Sequence, residues 1–338
     1  MSSAETLVEI WRADFLECQH RGHAVISDAT GNIIASWGDP DQVILPRSSS
    51  KMLQALPLIE TGAAAAFGLG TEQLALSCAS HSSAAIHTDR VEVWLNNLGL
   101  NDDDFRCGSH QPKDEAARHA LRDNGQKPCQ MHNNCSGKHS GFLTVNKHLG
   151  GHADYVEIDH PLQKAVKDAF EEMTGVDTPG YGVDGCNAPN FATTVKALAH
   201  AMARMADPSG LGSARETAAR ALVSAMREHP LLVAGEGRAC SELMAAMDAK
   251  VAVKTGAEGV YIAILPEKGL GVALKIEDGA TRGSEAAMAA ILVRLGVLSP
   301  NHPMAQKRLN PPILNCREVN TGFIQPSDSF YKGGAALI

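Results

Sequence analysis

Residues 251–276 read VAVKTGAEGVYIAILPEKGLGVALKI, and this stretch sets the class of fold. Val251-Ala252-Val253-Lys254, Gly259 to Leu265 and Leu270 to Ile276 are three short β-rich runs, with glycine-containing turns between them. That pattern predicts an antiparallel meander. At the other end of the chain, His23-Ala24-Val25-Ile26-Ser27 and Ile33-Ile34-Ala35-Ser36-Trp37 predict a hairpin, with Asp28-Ala29-Thr30-Gly31-Asn32 as its turn. Strands at both ends with helices between them predict one interrupted sheet. The expected fold is α/β (α+β): an antiparallel sheet built from N- and C-terminal strands, flanked by helices, with a helical insert.

The middle of the chain supplies the helices. Residues 49–61 switch to a helical period, with Met52, Leu53, Leu56 and Ile59 on one side and Gly62 as a stop. Pro57 predicts a kink there. Residues 190–206, capped by Asn190, and 213–228 predict two alanine-rich helices, separated by the turn Asp207-Pro208-Ser209-Gly210. A further helix is expected from Gly283 to Leu295, and the last 35 residues are expected to be irregular. With 338 residues the chain exceeds the roughly 250–300 at which one core stops growing. Two lobes are expected. Residues 1–50 and 245–338 would form a discontinuous sheet-containing α/β lobe, and 51–244 a mainly helical lobe carrying the Cys135 and Cys186 loops.

Composition narrows the function. Charged residues make up 20% of the chain, the net charge is −8, and no basic stripe is visible, which argues against a nucleic-acid partner. Aromatics at 4% are too few for a base-stacking platform. The stretch MSSAETLVEIWRADF lacks the basic start and apolar run of a secretory signal. The small-apolar stretch from Ala63 to Gly70 is too short and glycine-rich to span a bilayer. A soluble cytoplasmic protein with no membrane partner is expected. The eight cysteines lack a small-scaffold spacing, so a pair acting together is expected to hold a metal before it forms a disulfide.

Two constellations carry chemistry. The first starts in Pro46-Arg47-Ser48-Ser49-Ser50-Lys51, where Ser48 and Lys51 share a helix face at a predicted helix start. A serine hydroxyl becomes a nucleophile when a nearby base takes its proton, and free N–H groups at a helix start can hold an oxyanion. Alone this spacing is a common capping pattern. It gains weight from Ser80 in Cys78-Ala79-Ser80-His81 and from Lys254-Thr255-Gly256. That order is similar to the one in serine penicillin-recognising enzymes, although the Ser80 segment departs from their Ser-x-Asn form. The second constellation is Met131-His132-Asn133-Asn134-Cys135-Ser136-Gly137-Lys138-His139 with Gly182-Val183-Asp184-Gly185-Cys186-Asn187. Two thiolates can bind Zn²⁺ with a third ligand and water, and spacing points to His132 or His139 as the third. Two partly buried thiols in turns, or a cysteine nucleophile, are the other readings of the same residues.

With these pieces in view the sequence resembles the rhizobial-type L-asparaginases. The matching residues are Pro-Arg-Ser-Ser-Ser-Lys at 46–51, Cys-Ala-Ser-His at 78–81, Asn-Asn-Cys-Ser-Gly-Lys-His at 133–139, Val-Asp-Gly-Cys at 183–186, His-Pro at 229–230 and Lys-Thr-Gly-Ala-Glu-Gly at 254–259. The resemblance implies a fold like the serine β-lactamases and penicillin-binding proteins, a homodimer, and hydrolysis of L-asparagine to L-aspartate and ammonia. It implies two catalytic pairs, Ser48 with Lys51 and Ser80 with Lys254. It also implies a zinc ion held by Cys135, Lys138 and Cys186, with water as the fourth ligand. Arg47 is then a candidate for the substrate α-carboxylate. Asp184 is a candidate for the α-ammonium or for a partner of the metal, and His139 is counted with the substrate-binding residues. The rivals are a Ser–Lys hydrolase of another amide, ester or β-lactam, and a non-catalytic zinc or amino-acid sensor. The roles of His81, His87 and Arg238 stay open.

Overall fold

In this computed structural model, which describes residues 4–338, the sheet begins earlier than the sequence pattern indicates. Met1 to Ser3, at the head of the N-terminal stretch, lie outside the described residues. Strand β1 is Glu5–Arg12, β2 is Phe15–Asp28 and β3 is Ile33–Trp37. The register of β1 against β2 shifts between Thr6 and Val8, and Leu7 and Val8 are both fully buried. A bulge of this kind breaks the two-residue period, which is why β1 does not read as a strand.

Four short strands follow: β4 (Val43–Ile44), β5 (Tyr181–Val183), β6 (Pro189–Phe191) and β7 (Thr193–Thr194). The meander is β8 (Ala252–Thr255), β9 (Val260–Leu265) and β10 (Leu270–Ile276). The last 35 residues are not irregular. They hold all but the first residue of a helix, Pro303–Leu309, then two strands, β11 (Pro312–Leu314) and β12 (Asn320–Pro326), and a short helix, Asp328–Tyr331. β12 is partnered by β1 and β11, so its place in the sheet comes from neighbours distant in sequence rather than from its own polar composition. The sheet runs β11-β12-β1-β2-β10-β9-β8 with every pairing antiparallel, and β3 adds to β2.

The chain falls into two compact units. The sheet unit comprises 1–49, 193–207 and 242–338. Every residue of β9 is buried, as a strand covered on both faces must be. The helices Val195–Ala206 and Thr281–Arg294 both pack against it. The first of these starts at Val195, not at 191. Asn190 lies in β6, and Thr194 is the cap, accepting from the Ala197 amide. Although this helix falls within 51–244 in sequence, it belongs with the sheet. Gly271 of β10 explains the fit: a Cβ there would sit 2.3 Å from the Ala199 carbonyl oxygen.

The second unit comprises 50–192 and 208–241 and is mainly helical. Its centre is helix Ser136–Leu149, in which Ser136 to Asn146 are all buried. A helix buried all round must be wrapped by others. Here these are Leu56–Glu60, Thr71–Ser77, Ala85–Leu98 and Pro161–Thr174. Helix Ser213–Glu228 has the expected bounds. The 49–61 pattern breaks at Ala55, between the helices Lys51–Gln54 and Leu56–Glu60, and Pro57 falls in the first turn of the second, where a missing N–H costs nothing. Among the described residues no helix is long and apolar enough to cross a membrane.

Candidate active site and metal centre

Lys51 opens the short helix Lys51–Gln54 and is fully buried. Its Nζ donates to the Ala79 carbonyl, to Ser80 Oγ at 3.0 Å and to Cys135 Sγ at 3.1 Å. Burying an amine costs several kcal/mol unless hydrogen bonds compensate it, and three acceptors match the three N–H of an ammonium. Only one of the three, Ser80 Oγ, is a hydroxyl that can readily reverse its bond and donate to a neutral amine. The lysine–serine contact is therefore one through which a proton can pass in either direction. Ser80 Oγ thus meets the lysine of the other pair that the resemblance implies.

The segment around Ser80 is irregular and is held from both sides. Ser80 N–H donates to Val233 O at 2.9 Å and His81 N–H to Asn134 O at 3.1 Å. His81 Nδ1 accepts from the Ser83 amide, so the ring proton sits on Nε2 and faces Ser136 Oγ at 2.9 Å. Ser83, at φ +64, donates its hydroxyl to His132 O at 2.6 Å. His81 stacks on His87 with centroids 4.9 Å apart. Burial drives both rings below the usual imidazole range, so they are neutral. His81 is thus a clamp between the serine loop and the cysteine loop, a role its place in the sequence does not announce.

In the sheet unit, Ser48 sits half-buried in the 3₁₀ turn Arg47–Ser50. Arg47 has φ +54, a costly conformation for a side chain this large. Ser49 pins the turn, donating Oγ–H to Pro46 O at 2.7 Å. Gly256 lies against the same turn: a Cβ there would stand 2.5 Å from Pro46 O and 3.3 Å from Ser49 N. The Lys254-Thr255-Gly256 end of β8 therefore backs directly onto the turn that carries Ser48. Lys254 is fully buried, and its Nζ donates to Thr255 O at 2.7 Å. Arg47 also lines a cleft of about 410 Å³ within this unit, together with His23, Glu258, Lys275 and Glu277.

The second constellation converges inside the helical unit. Cys135 precedes helix Ser136–Leu149, Lys138 lies one turn along, and Cys186 occupies the turn of the β5–β6 hairpin. All three are nearly or fully buried. Lys138 Nζ is 3.1 Å from Cys186 Sγ. A hydrogen bond between the two sulfurs draws Cys186 well below the usual thiol range and pushes Cys135 up to about 12. The two thiols are thus pushed in opposite directions, Cys186 toward the thiolate and Cys135 toward the thiol. Burial opposes the Lys138 charge, but the two cysteines and Asp184 outweigh it and hold the amine as an ammonium.

The donor set suits a soft tetrahedral ion. Zinc with sulfur at about 2.3 Å and nitrogen at about 2.0 Å needs donor atoms roughly 3.5 Å apart, and Lys138 Nζ stands 3.1 Å from Cys186 Sγ. The spacing argument for a histidine ligand does not hold. His132 accepts the Cys129 amide on Nδ1 at 3.1 Å, and His139 Nδ1 faces Tyr155 OH at 2.9 Å. Tyr155 in turn accepts from the Arg106 amide, which leaves its own proton for His139. Among the described residues no three His, Cys, Asp or Glu side chains gather for a metal, and the third nitrogen or sulfur donor beside Cys135 and Cys186 is Lys138 Nζ. His139 is fully buried and neutral, its pKa lowered mainly by burial. Asp184 Oδ1 accepts from the Gly185 amide at 2.8 Å, and its charge acts on Lys138 and Cys186, which fits a partner of the metal. Tyr155 had no sequence signal, being one aromatic among polar residues.

Comparison with known proteins gives three findings. A family model described as L-asparaginase II matches residues 8–326. No curated protein matches the chain. Among solved structures, a β-lactamase from Mycobacterium bovis is similar at 13% identity and TM-score 0.45, over 80% of this chain and 93% of that one. A protein described as Mglu in its native form is similar at 16% identity and TM-score 0.46, over 83% of this chain and 66% of that one.

Proposed function

The chain belongs to the L-asparaginase II family, and from that premise we propose that it hydrolyses L-asparagine to L-aspartate and ammonia with a serine nucleophile and a lysine base. The observation that supports a serine–lysine mechanism is the buried Lys51 Nζ, 3.0 Å from Ser80 Oγ, and the choice of Ser48 as the attacking group in this reading comes from its spacing to Lys51. Ser48 Oγ attacks the side-chain amide carbon, and Lys51, three residues on, is the base that takes its proton. The C–N bond then breaks, and the proton passes through Ser80 Oγ to the leaving nitrogen. Water hydrolyses the β-aspartyl ester, returning the proton to the serine. Arg47 is assigned to the substrate α-carboxylate, and Lys254 is the second lysine of the centre.

Cys135, Lys138 and Cys186 are the residues that would hold zinc, with Asp184 as their charged neighbour. Bound there, zinc supplies a fixed divalent charge that ties the Cys135 loop to the β5–β6 hairpin.

A second reading makes Ser80 the attacking group, and the Lys51–Ser80 contact favours it. Acid quenching of a reaction with asparagine, followed by peptide mapping, separates the two. An aspartyl adduct on the peptide with Ser48 supports the first, and one on the peptide with Ser80 the second. Ammonia release unchanged in both Ser48→Ala and Ser80→Ala would overturn the serine mechanism altogether.

A further inference from the structure

The cleft beside Arg47 is used only at its edge by the chemistry above. Its volume, about 410 Å³, falls in the range of about 300–1,000 Å³ typical of small-molecule sites. His23 on β2 pairs directly with Lys275 on β10, so their side chains share one face of the sheet. His23 is 1% exposed, and its Nδ1 accepts from the Asp39 amide at 2.8 Å. Burial lowers its pKa, so the neutral ring carries its proton on Nε2. That nitrogen stands 3.9 Å from a Glu277 carboxylate oxygen, beyond hydrogen-bond reach. Lys275 spends one N–H on the Glu258 carbonyl and keeps two. Val43, Ile44 and Leu45 supply an apolar wall.

The charges decide the ligand class. Arg47 and Lys275 bring two positive charges, and Glu258 and Glu277 two negative ones. An inorganic anion would meet both carboxylates, and a metal ion would meet both cations. A molecule with both signs on neighbouring carbons meets an opposite charge at each end. We propose that this cleft binds the head group of a free α-amino acid, its carboxylate on Arg47, Lys275 and His23 Nε2 and its ammonium on Glu258 and Glu277. The binding stands apart from turnover, and only the identity of the amino acid leans on the asparaginase reading. Two sources share the chemistry: the substrate being hydrolysed, and a separate molecule held at an effector site. Either acts at once on the strained turn, because Arg47 precedes Ser48.

Calorimetric titration of the full chain with L-aspartate tests the site, in the parent, in Glu277→Gln and in Lys275→Met. The parent binds, and each variant binds about tenfold or more weakly. Glu277→Gln is isosteric and exposed, so it keeps the test valid even where Lys275→Met shifts the 256–259 turn. Both variants binding like the parent overturns the proposal, and so does a parent that does not bind. Succinate, which lacks the ammonium, binding as tightly as aspartate overturns the role of the two glutamates. With binding lost in the variants, steady-state kinetics identifies the source. A raised KM for asparagine with kcat kept marks the substrate's own head group. Unchanged KM and kcat mark a separate effector. A parent that binds aspartate but releases no ammonia from asparagine defeats the asparaginase reading and leaves the cleft assignment standing.

Discussion

Lys51 has no exposed surface, and its three hydrogen bonds tie a carbonyl, a serine and a cysteine to one nitrogen. Replacing it with methionine keeps the volume and removes the base. Ammonia release from asparagine should fall by about 10²–10⁴ in kcat, the usual worth of a general base. The melting temperature should fall only modestly, since the change leaves one carbonyl unpaired, at about 1–3 kcal/mol. A variant that unfolds without this split, or retains kcat, contradicts the assignment. Gly256→Ala tests the turn from the other side. Its new Cβ would press on the Pro46 carbonyl, displacing Ser48 at a cost of about 1–3 kcal/mol, and turnover should drop although no reacting group changes. The Ser48, Lys51, Ser80 and Lys254 candidates were legible as a pattern of residue types in order. The Lys51–Ser80–Cys135 contact was not, because it joins segments far apart in sequence, and spacing reports only neighbours along one helix.

The elements show where pattern reading works and where packing overrides it. The meander and helix Ser213–Glu228 carry their own period and turns, so they were legible. β1 was hidden by its bulge and β12 by its polar sequence, and both depend on long-range pairing. Asn190 looked like a cap because nothing local reveals that Phe191 pairs with Tyr181 in a hairpin. The central helix is set close to its neighbour by Gly137, where a Cβ would lie 2.4 Å from Leu76 O. Gly137→Ala should therefore destabilise the chain by about 1–3 kcal/mol in urea unfolding, despite the better helix propensity of alanine. The loop beside it should make stability pH-dependent. His81 and His87 have depressed pKa values, chiefly through burial, and Lys51, His132 and His110 around His81 add repulsion. An unfolded histidine titrates near about 6.5, so the stabilisation is complete above that pH. It is lost as pH falls toward the folded values, because the unfolded chain binds protons first. The urea midpoint should drop between pH 7.5 and 5.5. His87→Gln, which does not titrate, should show a shallower fall, and an equal slope would remove His87 from the account.

At the scale of the whole chain, the two units differ in how their sequence is spent. The sheet unit is assembled from three segments, and β1 cannot be enclosed until residues 320–326 have been made. The helical unit is drawn from 50–192 and 208–241, and the bond between its loops is chemical rather than topological. Cys135, Lys138 and Cys186 are buried together, with Lys138 Nζ 3.1 Å from Cys186 Sγ, so zinc would find its donors gathered and would replace their protons with stronger links. Binding to the folded state alone stabilises by mass action, about 2.7 kcal/mol at a hundredfold excess over Kd. Thermal unfolding with added zinc should therefore begin several degrees higher than with a chelator, and the gap should widen with zinc concentration. Cys186→Ser removes a thiolate the site needs, so its two curves should nearly coincide. Equal melting of the parent in zinc and in chelator would mean that the sulfur–amine cluster serves the fold through hydrogen bonds alone. Turnover measured on the same samples then separates roles. A chelated enzyme that still releases ammonia at its folded fraction uses zinc to hold two loops, whereas activity lost well below the melting temperature places the ion's charge in the path of the reaction.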